Sequence, residues 1–93
     1  MKIEGTWILA PNEACAHQQI DDETVVVQAD RGTASVLNAI GGQIFSLCDG
    51  KASVDEIVDQ LDLEYDLEKS EIRQQVEQFA QDLMKQGLIR RLS

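Results

Sequence analysis

The 93-residue sequence has little of what enzymes and metal proteins usually require. Its only histidine is His17, and its only cysteines, Cys15 and Cys48, lie far apart without the CxxC spacing of a zinc site. It also lacks the common phosphate-binding, dinucleotide-binding, zinc-protease and nucleophile-elbow motifs. We therefore predict two reduced thiols, no disulfide, no metal, no cofactor and no catalytic activity. An enzyme using one of these three side chains stays an alternative that no spacing supports.

Long apolar runs and basic residues are also scarce. The N-terminal apolar run, residues 7–10, ends at Pro11 and is too short for a signal peptide or a membrane span. We therefore expect a cytoplasmic protein without a membrane partner. Seventeen acidic residues against eight basic ones give a net charge of -9, which repels nucleic acid. A hydrophobic content of 43% is typical of a folded chain, and the length suits one small domain.

The N-terminal half has the pattern of a three-stranded antiparallel meander. Residues 1–13 are interpreted as an N-terminal arm or edge strand, and residues 14–93 as the domain proper. β-branched and mixed segments bounded by turn residues predict three strands, at residues 14–20, 24–28 and 33–37. The first turn is the acidic stretch "DDE", and the second is "ADRG", where Gly32 can adopt a positive φ.

The C-terminal half changes to helical periodicity. Asn38 is the predicted N-cap of a first helix that ends at Gly50 as its C′ residue, and Ser53 with Glu56 predicts a capping box for a second helix. A third helix is predicted over residues 68–86. Its apolar positions follow spacings of four, three and four, and they are Ile72, Val76, Phe79 and Leu83.

The end of the third helix is specified in the sequence. With Gly87 at C′, Leu83 and Leu88 make the hydrophobic pair of a Schellman motif. Leu88, Ile89 and Leu92 are then expected to fold back onto the core. The order of three strands, three helices and an apolar tail predicts one α+β domain, with a three-stranded antiparallel sheet followed by three helices.

Two adjacent glycines, Gly41 and Gly42, lie in the first turn of the first predicted helix, where each costs roughly 1 kcal/mol relative to alanine. They could expose backbone N–H groups to a phosphate, but no lysine follows and the surrounding charge is negative. We therefore do not predict a phosphate site at these glycines. The acidic run at residues 55–71 lacks the spacing of a calcium loop and is interpreted as a solvated face able to select a basic partner.

A small meander must leave an edge strand, and an uncovered edge can pair with another strand. If Thr33–Leu37 is that edge, the long third helix beside it forms a groove with backbone groups on one wall and apolar side chains on the other. Such a groove suits an extended peptide that binds by β-augmentation.

The segments "LNAIGGQIFSLCDGKASVDEIVDQL" and "VEQFAQDLMKQGLI" resemble the PqqD-like family, whose domain is also called the RiPP recognition element. The resemblance covers about residues 14–88. It rests on a set of short motifs, which are Leu37 and Asn38, the small residues from Ala39 to Gly42, Ile44 and Phe45, Leu47, Asp49 and Gly50, Ile57 and Val58, and Gly87 and Leu88.

The resemblance implies a winged-helix-like fold that binds the leader segment of a ribosomally made precursor peptide as an extra strand. It also implies a partner enzyme that modifies the precursor, such as a radical SAM enzyme or a leader peptidase. Carried over by position, the peptide-binding residues are Thr33, Ala34, Ser35, Val36, Leu37, Val76, Phe79, Ala80 and Leu83. The alternative for the four helical residues is that they simply face the core. The small residues that the family keeps at this place further imply that Gly41 and Gly42 let the first helix pack closely on neighbouring backbone.

The sequence departs from the family pattern in two features: Ala34 and Ser35 stand where an aromatic residue is frequent, and "DDE" replaces an Asp-Gly turn. The main alternative function is a winged-helix nucleic-acid-binding regulator that reads DNA with its third helix. That helix carries four acidic residues against three basic ones, so it lacks the basic face that DNA binding needs. A homodimer stays open.

Overall fold

The computed structural model describes residues 3–93 and places two small sheets around a layer of three helices. In chain order the elements are β1 (Leu9–Pro11), β2 (Cys15–Ile20), β3 (Glu23–Gln28), β4 (Thr33–Leu37), α1 (Ala39–Leu47), α2 (Val54–Glu64), α3 (Lys69–Lys85) and β5 (Ile89–Arg91). This order confirms the predicted α+β class, with a three-stranded antiparallel sheet followed by three helices.

The main sheet has the strand order β2-β3-β4, and both pairings are antiparallel. The first hairpin turns at Asp21 and Asp22, with Asp21 at a φ of 55°, while Glu23 already belongs to β3. The predicted "DDE" turn is therefore one residue too long. The second turn has Gly32 at a φ of 65°, as the sequence predicted.

A second, two-stranded sheet joins the two ends of the described chain. β1 pairs antiparallel with β5, with Ala10 opposite Arg90. The guanidinium of Arg91 stacks 4.2 Å from the ring centroid of Trp7, a cation–π contact that holds the segment before β1 against the tail. The predicted apolar tail is thus a strand that shares a sheet with the N-terminal segment.

One predicted tail contact is wrong. Leu88 and Ile89 are buried, but Leu92 remains 47% exposed. Side chains alternate between the two faces of a strand, and Leu92 is an odd number of positions from Ile89. It therefore points away from the core that Ile89 enters.

The caps of α1 explain where this helix begins and ends. The Asn38 side chain accepts a hydrogen bond from Gly41 N at 2.8 Å, which confirms the predicted N-cap. The C-cap is Cys48, so the C′ residue is Asp49 and not Gly50 as predicted, although Gly50 does have a positive φ, of 81°. The helix stops earlier because the Asp49 carboxylate accepts hydrogen bonds from Lys51 N and Ala52 N, which turns the chain toward α2.

The predicted caps of the other two helices are present. At the start of α2, Ser53 and Glu56 form the reciprocal capping box. At the end of α3, Leu88 N donates to Leu83 O at 2.9 Å and Gly87 N donates to Met84 O at 3.0 Å, with Gly87 at a φ of 77°. These two bonds are the Schellman motif predicted from the sequence.

All three helices and both sheets contribute to a single core. Its largest fully buried side chains are Leu9, Ile44, Ile57, Leu61, Ile72, Leu83, Leu88, Val26, Val54, Val58, Val76 and Cys48. Among residues 3–93, no helix has the length and apolar character needed to cross a membrane.

Candidate functional site

β4 is an edge of the main sheet, and the hydrogen bonds of its neighbour β3 show which backbone groups it leaves free. Ala29 N, directly after β3, donates to Ala14 O on the β2 side at 3.2 Å. Gln28 O accepts from Gly32 N at 2.9 Å on the β4 side. Because the backbone groups of successive residues in an antiparallel strand point in opposite directions, Gln28 and every second residue before it face β4.

The register then identifies the outward groups of β4. Gln28 is opposite Thr33, so Thr33 and every second residue after it bond to β3. The N–H and C=O groups of Ala34 and Val36 point the other way, to the open edge. Within the described chain no strand pairs with that edge. Ala34 and Val36, two positions apart, therefore present the backbone hydrogen-bond donors and acceptors that an added strand would use.

The β4 side chains divide between the two faces of the sheet. Thr33 and Ala34 are exposed, and Val36 is 61% exposed on the outer face. Ser35 is half-buried and Leu37 is only 8% exposed, both on the face that meets the helices. A strand added at this edge would therefore have one set of side chains beside Val36 and the other beside Ser35.

Helix α3 lies beside β4, and one contact at each end defines the space between them. At one end, Ser35 Oγ donates to Gln86 Oε1 at 3.2 Å. At the other, the ring of Phe79 packs against Gly41, the second residue after the start of α1. We call the space between these two contacts the β4–α3 groove.

The end of α3 is tied directly to the sheet, which fixes the position of this wall. The carbonyl oxygen of Gly87 accepts hydrogen bonds from Asn12 Nδ2 at 2.8 Å and from Gln28 Nε2 at 3.3 Å. The C-terminal turn of α3 is thereby anchored to β3 and to the segment between β1 and β2.

The four α3 residues predicted to line the groove differ in burial. Val76, Ala80 and Leu83 are exposed by 1% or less and pack in the core. Phe79 is half-buried and retains accessible surface. The first three therefore pack beneath the accessible surface of α3, and their direct contact with a peptide stays a prediction.

The accessible wall is a stripe that the sequence reasoning missed except for Phe79. Its residues follow helical spacings of four, three and four, and each of them directly precedes a residue on the inward face of α3 or its C-terminal turn. They are Gln75, Phe79, Asp82 and Gln86. The first three are half-buried and the last is exposed. The helical spacing of these four residues is visible in the sequence, because it parallels the spacing of the core residues. Three of the four side chains are polar, however, so hydrophobic periodicity does not identify them.

The double glycine lies at the junction of the groove and the sheet. A β-carbon on Gly41 would stand 2.8 Å from Phe79 Cε1, and one on Gly42 would stand 2.9 Å from Thr24 Cβ. The close approach is therefore real, but the neighbours are side chains of α3 and β3 rather than backbone as predicted.

The side chains considered for catalysis are not gathered in the groove. His17 lies on exposed β2 and stacks edge-on against Phe45, with ring centroids 5.3 Å apart. Burial raises the pKa of the Cys48 thiol to about 12, and burial and the nearby Asp30 carboxylate raise the pKa of Cys15. A raised pKa leaves a thiol protonated and a poor nucleophile at neutral pH. Among residues 3–93 no three His, Cys, Asp or Glu side chains cluster as metal ligands.

Comparisons with known proteins agree with this fold. A family model described as "Coenzyme PQQ synthesis protein D (PqqD)" matches residues 23–89. The solved structure of TbiB1 in complex with the TbiA(beta) leader peptide superposes with a TM-score of 0.82 at 27% identity, covering 90% of this chain and 98% of that chain. A lasso peptide synthetase B1 complexed with the leader peptide superposes with a TM-score of 0.80 at 17% identity, covering 89% and 98%, and supports the fold alone. No curated protein sequence matches the chain.

Proposed function

Since this chain belongs to the PqqD family, we propose that it binds the leader segment of a ribosomally synthesised precursor peptide in the β4–α3 groove. The peptide adds as a strand to β4, and the complex presents it to a modifying enzyme such as a radical SAM enzyme or a leader peptidase. The proposal rests on one observation: the backbone N–H and C=O groups of Ala34 and Val36 face outward, on an open sheet edge beside α3. The 27% identity to TbiB1, which was solved with a leader peptide, supports it.

The groove supplies both parts of a β-augmentation site. Ala34 and Val36 offer two N–H donors and two C=O acceptors, and each intermolecular bond contributes about 0.5–1.5 kcal/mol net. Backbone pairing is independent of side chains, so sequence selectivity must come from the walls, where Phe79 and Val36 supply apolar surface. A few such bonds and apolar contacts are consistent with a dissociation constant of about 1 μM or below.

The proposed role is that of an adaptor without catalytic activity of its own. The two thiols have raised pKa values, the opposite of what an activated cysteine nucleophile requires. The groove offers backbone amides, apolar surface and glutamine side chains, which suit binding and positioning. Chemistry on the precursor is assigned to the partner enzyme.

The charges of α3 do not favour the nucleic-acid-binding alternative. Lys69 Nζ lies 2.6 Å from Asp59 Oδ1, and Arg73 Nη2 lies 2.6 Å from Asp55 Oδ1. Two of the three basic side chains of α3 are thus already paired with α2 carboxylates. A reading helix needs a free basic face toward the phosphates.

The proposal is tested with fluorescence polarisation of a labelled leader peptide from the precursor encoded nearest to this chain. The variant is Val36→Pro, which removes an outward N–H and none of the N–H groups that bond β4 to β3. Val36→Ala is the matched control, because it removes side-chain surface but keeps the N–H. We expect saturable binding to the native chain, at least a tenfold loss for Val36→Pro, and a smaller loss for Val36→Ala.

Circular dichroism spectra of the two variants should superpose on that of the native chain, which shows that the effect on binding is not unfolding. Equal affinity of Val36→Pro and the native chain would argue against strand addition at β4. Presentation is tested separately, by measuring the rate at which the neighbouring enzyme modifies the full precursor. That rate should rise when the native chain is added and not when Val36→Pro is added.

A further inference from the structure

The charged side chains of α3 differ between the flank that faces α2 and the flank that faces β4. The flank toward α2 carries Lys69 and Arg73, each in a 2.6 Å ion pair with a carboxylate of α2. Glu77 follows Arg73 by four residues and so lies on the same flank. The flank toward β4 carries Asp82, and its other members in this part of the helix, Phe79 and Gln86, are uncharged.

Asp82 is half-buried in the groove wall without a cationic partner. Its Oδ1 accepts a long hydrogen bond from Gln78 Nε2, at 3.4 Å. No ion pair within residues 3–93 involves Asp82, and Lys85, three residues further on, is exposed and unpaired there. A half-buried carboxylate in this position can form an ion pair with a cation supplied by a ligand.

The two contacts that bound the groove also place Asp82 along it. Phe79 and Gln86 are seven residues apart, or about 10 Å along the helix axis. An extended strand covers that distance in about three residues. Asp82 lies between them, four residues from Gln86, which meets Ser35 at the centre of β4. Asp82 therefore faces the part of the groove beside the C-terminal end of β4.

We propose that the bound peptide carries a lysine or arginine where it passes the C-terminal end of β4, and that this side chain forms an ion pair with Asp82. The site is thus selective for a basic leader segment. This inference rests on the proposed function, because it requires a peptide strand along β4. Side chains alternate along a strand, so the two residues flanking the basic one point away from α3. The net charge of -9 adds a long-range attraction for basic peptides.

The test uses a display library of random 12-residue peptides selected against the native chain, Asp82→Asn and Glu77→Gln. Asp82→Asn removes the negative charge from the flank of α3 that faces the groove and keeps the size and shape of the side chain. Glu77→Gln removes the same charge from the α2-facing flank and serves as the control. We expect one position of the selected peptides to be enriched in Lys and Arg with the native chain and Glu77→Gln, and to lose that enrichment with Asp82→Asn.

A selected peptide then measures the size of the effect. Its affinity should fall about three- to tenfold on Asp82→Asn, the range for a partly exposed ion pair, and should change little on Glu77→Gln. Asp82→Lys should weaken the same peptide further, and replacing the peptide's basic residue by glutamate should restore binding to Asp82→Lys.

The outcomes separate this inference from the proposed function. Peptides that need the Val36 N–H but show the same basic preference with Asp82→Asn would overturn the assignment of Asp82 and leave the peptide-binding role intact. Failure to select any peptide on the native chain, or selection of peptides indifferent to Val36→Pro, would overturn the proposed function and this inference with it.

Discussion

The ring of Phe79 on α3 lies so close to Gly41 on α1 that a β-carbon at Gly41 would stand 2.8 Å from Phe79 Cε1. Real β-carbons do not approach a neighbour so closely, so α1 and α3 meet here only because position 41 has no side chain. The same ring forms one end of the β4–α3 groove. The glycine that weakens α1 locally therefore sets the spacing between two helices and the position of the groove wall.

We expect Gly41→Leu to lower the free energy of unfolding by about 1–3 kcal/mol, because the new side chain must displace Phe79 or separate the helices. The matched control is Ala39→Leu, at an exposed position in the same turn, which should change stability by less than about 0.5 kcal/mol. Urea denaturation followed by circular dichroism measures both. Equal losses for the two variants would show that the contact with Phe79 is not the cause.

A chain that begins at Ala14 should fail to fold cooperatively. Residues 1–13 were interpreted from sequence as an arm or edge strand, yet Ile3, Leu9 and Ala10 lie in the core. Their removal also takes away the partner of β5 and the hydrogen bond from Val54 N to Trp7 O. Thermal unfolding followed by circular dichroism is the measurement, and a sharp transition in the shortened chain would instead support a separable arm.

A point substitution tests the same packing without shortening the chain. Leu9→Ala should cost about 2–5 kcal/mol, since Leu9 is fully buried. Thr6→Ala, at an exposed position in the same segment, is the control and should be close to neutral.

Cys48 should make the protein less stable at alkaline pH. Its pKa is raised by burial from 9.0 to about 12 in the folded chain, so the folded state holds the proton more tightly than the unfolded state. The stability linked to this group is complete below about pH 9 and is lost as the pH rises toward 12. Over that window the loss approaches roughly 1.4 kcal/mol per pH unit.

The measurement is the free energy of unfolding by urea at several pH values from 8 upward, for the native chain and Cys48→Ala. The native chain should fall more steeply with pH, and Cys15→Ala should retain the steep fall. Parallel curves for the native chain and Cys48→Ala would contradict the assignment.

The local features of this fold could be predicted from sequence because each depends on nearby residues. The valines and turn residues predicted the meander, and Asn38, Ser53 and Gly87 predicted three helix caps that the structure contains. The errors were also local. Asp49 ended α1 one residue early by binding the following N–H groups, and Glu23 continued a strand instead of a turn.

The groove could be predicted only in outline. The residues left Thr33–Leu37 as a conditional edge, and the family resemblance implied a peptide site there beside the third helix and named Phe79. Apolar periodicity identified the face of α3 that is buried, but not the neighbouring face that borders β4. Asp82 and Gln86 were missed because polar residues carry no signal that separates a groove wall from a solvated surface.

The sequence by itself thus determined the order of the three meander strands and the three helices and most of their ends, since propensity, capping and periodicity act within a few residues. Only the tertiary structure decided that β1 pairs with β5, that Gly41 receives the ring of Phe79, and that Ser35 meets Gln86. These contacts join residues from about 40 to 80 positions apart. They depend on how the elements pack around a shared core, which no local pattern encodes.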